Sequence, residues 1–168
     1  AWIDALLDRL ARAADELELR AYLDQYLKEE LPGKESRAKT VGILLRIWTG
    51  PSGDRGLLRD RAVSLLPCIG GQERIWLHWG MTCLAYPFFR DTAEVVGRLL
   101  ALQDDFTTAQ VQGRMMTTWG DRVTSQEAAQ KLLTTLVDWE VLRSTKTKGH
   151  FLLARRNAAS IPEVQLWL

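Results

Sequence analysis

The feature that most limits the fold of this chain is a helix-and-hairpin pattern, TSQEAAQKLLTTLVDWEVLRSTKTKGHFLL, at residues 124 to 153. Thr124 and Glu127 have the spacing of a capping box, in which the hydroxyl and the carboxylate each accept a backbone N–H at the start of a helix. An apolar stripe with the spacing of one buried helix face follows. We therefore predict a helix from 125 to 138. Its stripe consists of Ala129, Leu132, Leu133, Leu136 and Val137.

A basic hairpin is predicted directly after this helix. Val141 and Leu142 start a strand, and the chain returns from His150 to Leu153. Gly149 favours the tight turn between them, because glycine adopts positive φ at little steric cost. We expect a two-stranded ribbon over residues 141 to 155. All charged residues from its first strand to the end of the basic run are cations: Arg143, Lys146, Lys148, Arg155 and Arg156.

Two further helices are predicted before this pattern. Thr107 and Gln110 have the form of a second capping box, which starts a helix from 108 to 119 after a short extended segment. Another helix is expected from 90 to 102. Three helices followed by a two-stranded ribbon are the element order of a winged helix-turn-helix. The sequence therefore predicts such a domain over residues 88 to 157.

The first half of the chain has the apolar spacing of several helices. Pro32-Gly33 and Gly50-Pro51 separate them, and a strongly apolar segment bends at Tyr86-Pro87. We predict a mainly α protein, with an N-terminal helical bundle over residues 1 to 87 packed on the C-terminal winged helix-turn-helix and its two-stranded β-wing. One of the helices carries the apolar residues Leu57, Leu58, Ala62, Leu65 and Leu66.

Residues 158 to 168 form a short C-terminal tail. Pro162 favours the first position of a helix, because proline lacks the N–H that would be unsatisfied there. We expect this helix to bury Leu166 and Trp167 against the body of the protein. The alternative is that these apolar side chains insert into a partner.

The inventory of reactive residues points away from catalysis. His78 lies in an apolar helix and His150 in the hairpin, and neither has the sequence context of a nucleophilic site. No phosphate-binding glycine motif occurs, and Cys68, His78 and Cys83 match no common zinc spacing. We expect a protein that is not an enzyme and needs no cofactor or metal.

Charge and hydropathy limit the environment. The formal net charge is +1, so attraction to a polyanion must come from a local surface. No apolar run approaches the roughly 20 residues of a membrane span, and no signal-peptide pattern opens the chain. The two cysteines lack a disulfide pattern. These observations predict a cytoplasmic protein without a membrane partner.

Double-stranded DNA is the partner that the helix and hairpin favour. Side chains on the polar face of the third helix would contact the major groove, and the hairpin cations would contact phosphates. Two alternatives remain open: a docking module for another protein, and a homodimeric transcriptional regulator. The candidate DNA contacts are Arg122, Gln126, Gln130, Lys131, Thr134, Thr135, Arg143, Lys146, Lys148 and His150.

The layout resembles the BrxA accessory proteins of bacteriophage-exclusion (BREX) systems. The resemblance is carried by the stretch YPFFRD at residues 86 to 91 and by the last long helix with the following VLR. Those proteins combine a helical body with a winged-helix DNA-binding part and have no catalytic motif. The resemblance implies a non-enzymatic DNA-binding accessory of a prokaryotic phage-defence system, which works beside larger defence proteins.

Overall fold

The structure is a computed structural model that describes residues 2–10, 12, 15–71, 73–154 and 158–168, with the backbone alone at Ile3. It is mainly helical, with 70% of the described residues in helices, and these residues include a small three-stranded antiparallel sheet. The predicted mainly α class is therefore confirmed. The chain divides into two compact units, Ala1–Tyr86 with Ala159–Leu168 and Pro87–Ala158.

The first unit is built from helices around one apolar core. Leucines from different helices, such as Leu7, Leu23 and Leu77, meet around Trp48, and all four side chains are fully buried. Proline and glycine residues lie in several of the connections between its helices. The elements of this unit are α1 (Trp2–Leu10), α2 (Glu16–Tyr26), α3 (Lys34–Trp48), α4 (Asp54–Leu65), a 3₁₀ turn (Leu66–Cys68), α5 (Arg74–Ala85) and α9 (Pro162–Trp167).

A buried arginine fixes the corner between α2 and α3. The Arg37 Nε–H donates to Asp24 Oδ1 at 2.8 Å, and Arg37 Nη1 donates to the carbonyl oxygens of Leu31 and Pro32 at 2.7 and 3.2 Å. The guanidinium thereby donates to carbonyl oxygens between α2 and α3, which lie outside both helices.

The C-terminal helix α9 packs within the first unit. It begins at Pro162 as predicted, and Val164 and Trp167 are buried. The prediction that Leu166 is also buried is wrong, because its side chain is 78% exposed. Positions 164 and 167 lie three residues apart and share a helix face, whereas Leu166 lies off that face.

Among its described residues, the second unit contains three helices and the sheet. Its strands have the order β1-β3-β2, with Phe106 opposite Phe151 and Arg143 opposite Leu152. The predicted extended segment before Thr108 is thus a third strand, which pairs with the hairpin. The elements are α6 (Pro87–Leu102), β1 (Asp105–Thr107), α7 (Thr108–Trp119), α8 (Val123–Asp138), β2 (Leu142–Ser144) and β3 (His150–Leu153).

The two predicted capping boxes have different outcomes. The box of Thr107 and Gln110 is confirmed, since each side chain accepts the other residue's backbone N–H. The box at Thr124 is wrong. Helix α8 already begins at Val123, and its N-cap is Arg122, which provides no side-chain cap. Thr124 therefore lies inside the first turn rather than at the extended N-cap position that a capping box requires.

Helix α8 ends in a Schellman motif with a glutamate at the left-handed position. Glu140 has φ 57°, Val141 N–H donates to Leu136 O, and Glu140 N–H donates to Val137 O. Glycine usually occupies this position, because a Cβ there crowds the backbone.

Replacing Glu140 by glycine should therefore stabilise the protein. We expect Glu140→Gly to raise the free energy of unfolding by about 0.5–1 kcal/mol. This value is the strain relieved at the left-handed position minus the cost of the greater conformational freedom that glycine gives the unfolded chain. Denaturant titration measures this change. The matched control is Glu127→Gly inside α8, which should cost about 1 kcal/mol. A loss of stability in both variants would contradict the expectation.

A buried histidine connects α1 to α5. His78 Nε2 lies 3.2 Å from Asp4 Oδ1, and one turn away Arg74 Nη1 donates to Asp8 Oδ1 at 3.0 Å. Burial lowers the pKa of His78 below its usual 6.5. The hydrogen bond to His78 lowers the pKa of Asp4 to about 2. The neutral imidazole and the carboxylate are therefore the forms that the fold prefers.

These shifts make the fold sensitive to acid. Because the pKa of His78 is lower in the folded than in the unfolded chain, the unfolded chain gains protons first as the pH falls through 6.5. Stability should therefore begin to fall as the pH drops through about 6.5, and it should continue to fall at lower pH. The variant His78→Gln, which can still donate to Asp4, should show a flatter dependence of its thermal midpoint on pH. Equal slopes in the two proteins would exclude His78 as the cause.

Candidate nucleic-acid interface

Helix α8 turns one face into the second unit and the other to solvent. Ala129, Leu133 and Leu136 are buried, and the helix packs against α6, α7 and β2. On the other face, Gln130 and Lys131 are exposed. The stripe predicted from the sequence thus does orient the helix, and it leaves an amide and an ammonium group free to contact a partner.

The two candidate glutamines differ in their surroundings. Gln126 is half-buried, its Nε2 donates to Asp121 Oδ1 at 2.8 Å, and its backbone carbonyl accepts from Gln112 Nε2 at 3.0 Å. It therefore ties the turn between α7 and α8. In the described part of the chain, no hydrogen bond involves the side-chain amide of Gln130. Gln130 is consequently the better placed of the two to contact a base edge.

The candidate threonines bond to their own helix. Thr134 Oγ1 donates to Gln130 O at 3.2 Å, and Thr135 Oγ1 donates to Lys131 O at 3.1 Å. Thr134 is exposed and Thr135 half-buried. Each hydroxyl oxygen can still accept a hydrogen bond from a partner, whereas donation to a phosphate would require the existing bond to break.

The start of α8 carries an exposed residue that the sequence patterns did not single out. Val123 follows Arg122 directly, and its side chain is 71% exposed at the first position of the helix. An apolar side chain at this place can contact the methyl group of thymine. The sequence does indicate that Val123 is exposed, because it precedes Ala129 by six residues and therefore lies off the buried apolar stripe.

The hairpin presents its cations on a hydrogen-bonded turn. Lys146 and Lys148 are exposed on either side of Thr147. Thr145 Oγ1 accepts from Thr147 N at 3.1 Å, and His150 N donates to Thr147 O at 3.1 Å. These bonds hold the tip, so that its ammonium groups project from a fixed backbone.

The base of the hairpin is fixed by β1 and the start of α7. Thr108 N–H donates to Gly149 O at 2.9 Å, and His150 Nδ1 lies 3.6 Å from Asp105 Oδ2. His150 is therefore engaged with a carboxylate at the foot of the hairpin. This places it less favourably for a phosphate than the two lysines at the tip.

Several cations of the second unit lack a carboxylate partner. Within the described residues, none of those at the candidate surface lies within 4.0 Å of an acidic oxygen, His150 excepted. The acids Glu127 and Asp138 are also exposed on α8, so the helix alone is not cationic. Arg155 and Arg156 lie outside the described residues. At the candidate surface, the cations that form no ion pair with any described residue are Arg122, Lys131, Arg143, Lys146 and Lys148.

No family model, curated protein or solved structure was found to match the chain. Among the described residues, no helix combines the length and the apolar character needed to cross a membrane. The described part of the chain also contains no group of three or more histidine, cysteine, aspartate or glutamate residues that could hold a metal ion.

Proposed function

We propose that this protein binds duplex DNA, without catalysis, through α8 and the β2–β3 hairpin. The observation that carries the proposal is that the hairpin, which packs beside α8, exposes cations that form no ion pair with any described residue, while the exposed face of α8 offers Gln130 and Lys131. The order helix, strand, helix, helix, hairpin, with β1 pairing to β3, supports a winged helix-turn-helix.

In this proposal the two elements have different tasks. Helix α8 enters the major groove, where the amide of Gln130 offers the paired donor and acceptor that adenine requires. Lys146 and Lys148 neutralise phosphates beside the groove and set the position of the helix on the duplex. Arg122, at the N-cap of α8, contacts the backbone next to the groove entrance.

The charges favour modest sequence preference. The acids Glu127 and Asp138 on α8 repel phosphate, and one lysine is the only cation within that helix. Most of the binding free energy then comes from the hairpin and from Arg122, which contact phosphates and do not read sequence. Affinity for unrelated duplexes should therefore be similar, and it should depend steeply on salt.

Removing the two lysines of the hairpin tip tests the proposal. We expect Lys146→Ala with Lys148→Ala to weaken binding to every duplex and to reduce the slope of log affinity against log salt by about 0.9 for each phosphate that is no longer neutralised. Titration of a labelled duplex at two salt concentrations measures both effects.

The control for this experiment also removes two exposed lysines. Lys34→Ala with Lys39→Ala changes α3 of the first unit and lowers the net charge equally. This variant should keep the affinity and the slope of the parent. Equal effects of the two double substitutions would mean that only the net charge of the protein matters. An unchanged affinity of the hairpin variant would show that Lys146 and Lys148 do not contact phosphates.

The biological setting that we propose is a prokaryotic phage-defence system. Its support is the resemblance of YPFFRD and of the last long helix with VLR to BrxA proteins. In such a system the chain would bring DNA to larger defence proteins. Deleting its gene from a host with the complete system should restore phage plating, and the hairpin-lysine variant should fail to complement the deletion while the α3 control does so.

A further inference from the structure

The first unit exposes a group of leucines on two helices that pack together. Leu57 is 69% exposed on α4, and Leu166 and Leu168 are 78% and 56% exposed on or directly after α9. Trp167 Nε1 donates to Leu58 O at 2.8 Å, which joins the two helices at this place. A single exposed leucine is ordinary, but several exposed leucines on helices that pack together are typical of surfaces that bind a partner.

Arginines accompany these leucines. Arg55 and Arg61 are exposed on α4, and within the described residues neither forms an ion pair, whereas Arg59 binds Asp60 at 2.6 Å. On a helix, Leu58 lies three residues from both Arg55 and Arg61, so these side chains are neighbours. We call this surface the leucine–arginine face. It consists of Arg55, Leu57, Leu58, Arg61, Leu166 and Leu168.

The same unit carries a surface with the opposite charge. Leu17 is 77% exposed in the first turn of α2, and Asp15, Glu16 and Glu18 around it are exposed as well. Glu16 binds Arg20, but the Glu18 carboxylate forms no ion pair within the described residues. We call Asp15 to Glu18 the acidic leucine turn.

The two surfaces belong to different helix pairs. Helix α2 packs on α1 and α3, whereas α4 packs on α5 and α9. Within the described part of the chain, one surface offers leucines with arginines that form no ion pair, and the other offers a leucine with a carboxylate that forms none. Their charges are complementary, and Arg is a residue type that interfaces favour.

We propose that the leucine–arginine face of one copy binds the acidic leucine turn of a second copy. The contact joins different patches of the two molecules, so it is heterologous and leaves one free surface of each kind at the ends of a pair. Further copies can add there. The association should weaken with salt, because the ion pairs lie at the edge of the contact. It does not depend on the proposed DNA binding.

Sedimentation velocity of the full chain without DNA tests this proposal. At low salt the sedimentation coefficient should rise with protein concentration, and added salt should reverse the rise. Two variants remove one surface each: Arg55→Glu with Arg61→Glu, and Leu17→Gln with Glu18→Gln. Each should associate about tenfold more weakly than the parent or worse. Circular dichroism establishes that both variants remain folded.

Mixing the two variants provides the sharpest measurement. Each retains the surface that the other lacks, so an equimolar mixture should form a complex of one copy of each and nothing larger. Leu102→Gln changes a leucine of the second unit that is 80% exposed, and this control should associate like the parent. A parent that stays monomeric throughout, a face variant that associates normally, or a mixture that remains monomeric would overturn the proposal.

Discussion

Replacing Phe106 by alanine should lower the free energy of unfolding of the second unit by about 3–5 kcal/mol. Phe106 is almost fully buried, and its ring stacks on that of Phe151 with centroids 5.8 Å apart. The two residues are also opposite each other in the β1–β3 pair. Truncation removes the transfer free energy of the ring and leaves a cavity between the sheet and the helices.

The same substitution should loosen the hairpin. Strand β1 lies on the side of β3 away from β2, so without the aromatic pair β3 is held less firmly by β1. Backbone amides of β3 should exchange with solvent faster, which hydrogen exchange measures. Phe106→Leu is the control, because a large apolar side chain retains most of the packing. Equal losses for leucine and alanine would show that the ring stacking, rather than the filled volume, provides the stability.

Local signals in the sequence predicted much of the second unit. Helix α7 runs over the predicted residues because a complete capping box starts it at Thr107. Helix α8 starts two residues earlier than predicted because its N-cap, Arg122, has no acceptor side chain that a pattern could reveal. The apolar stripe nevertheless fixed which face of α8 is buried, since that depends on spacing and not on the exact start.

The sequence patterns missed features that depend on contacts between side chains of neighbouring elements. Gln126 was selected for its polar side chain, but Asp121 in the preceding turn engages its amide. Leu57 and Leu58 have helical spacing with Ala62 and Leu66, yet only the last two are buried. A short helix at the edge of a unit buries one narrow stripe, and spacing alone does not tell which leucines remain outside it.

Replacing Trp167 by alanine should lower the free energy of unfolding of the first unit by about 3–5 kcal/mol. Its indole is buried, and its Nε1–H donates to Leu58 O at 2.8 Å. Helix α9 has six residues, too few to form a stable helix in isolation, so its structure depends on this packing. The variant should lose α9 before the rest of the unit unfolds, which limited proteolysis of the C-terminus would detect.

A glycine in α5 provides the matching test. A Cβ at Gly80 would lie 2.4 Å from Trp167 Cζ3 and 2.6 Å from Cη2, so the ring occupies the space that a larger residue needs. Gly80→Ala in the parent should cost about 1–3 kcal/mol through this overlap, reduced by about 1 kcal/mol of gained helix propensity.

In the Trp167→Ala background the overlap is absent, and Gly80→Ala should then stabilise the unit by up to about 1 kcal/mol. Such a reversal of sign in a double-mutant cycle isolates the contact between the two residues. The same effect of Gly80→Ala in both backgrounds would mean that α9 adjusts to the methyl group without loss. If the sign reverses, the absence of a side chain at Gly80 is what allows six C-terminal residues to dock on α5.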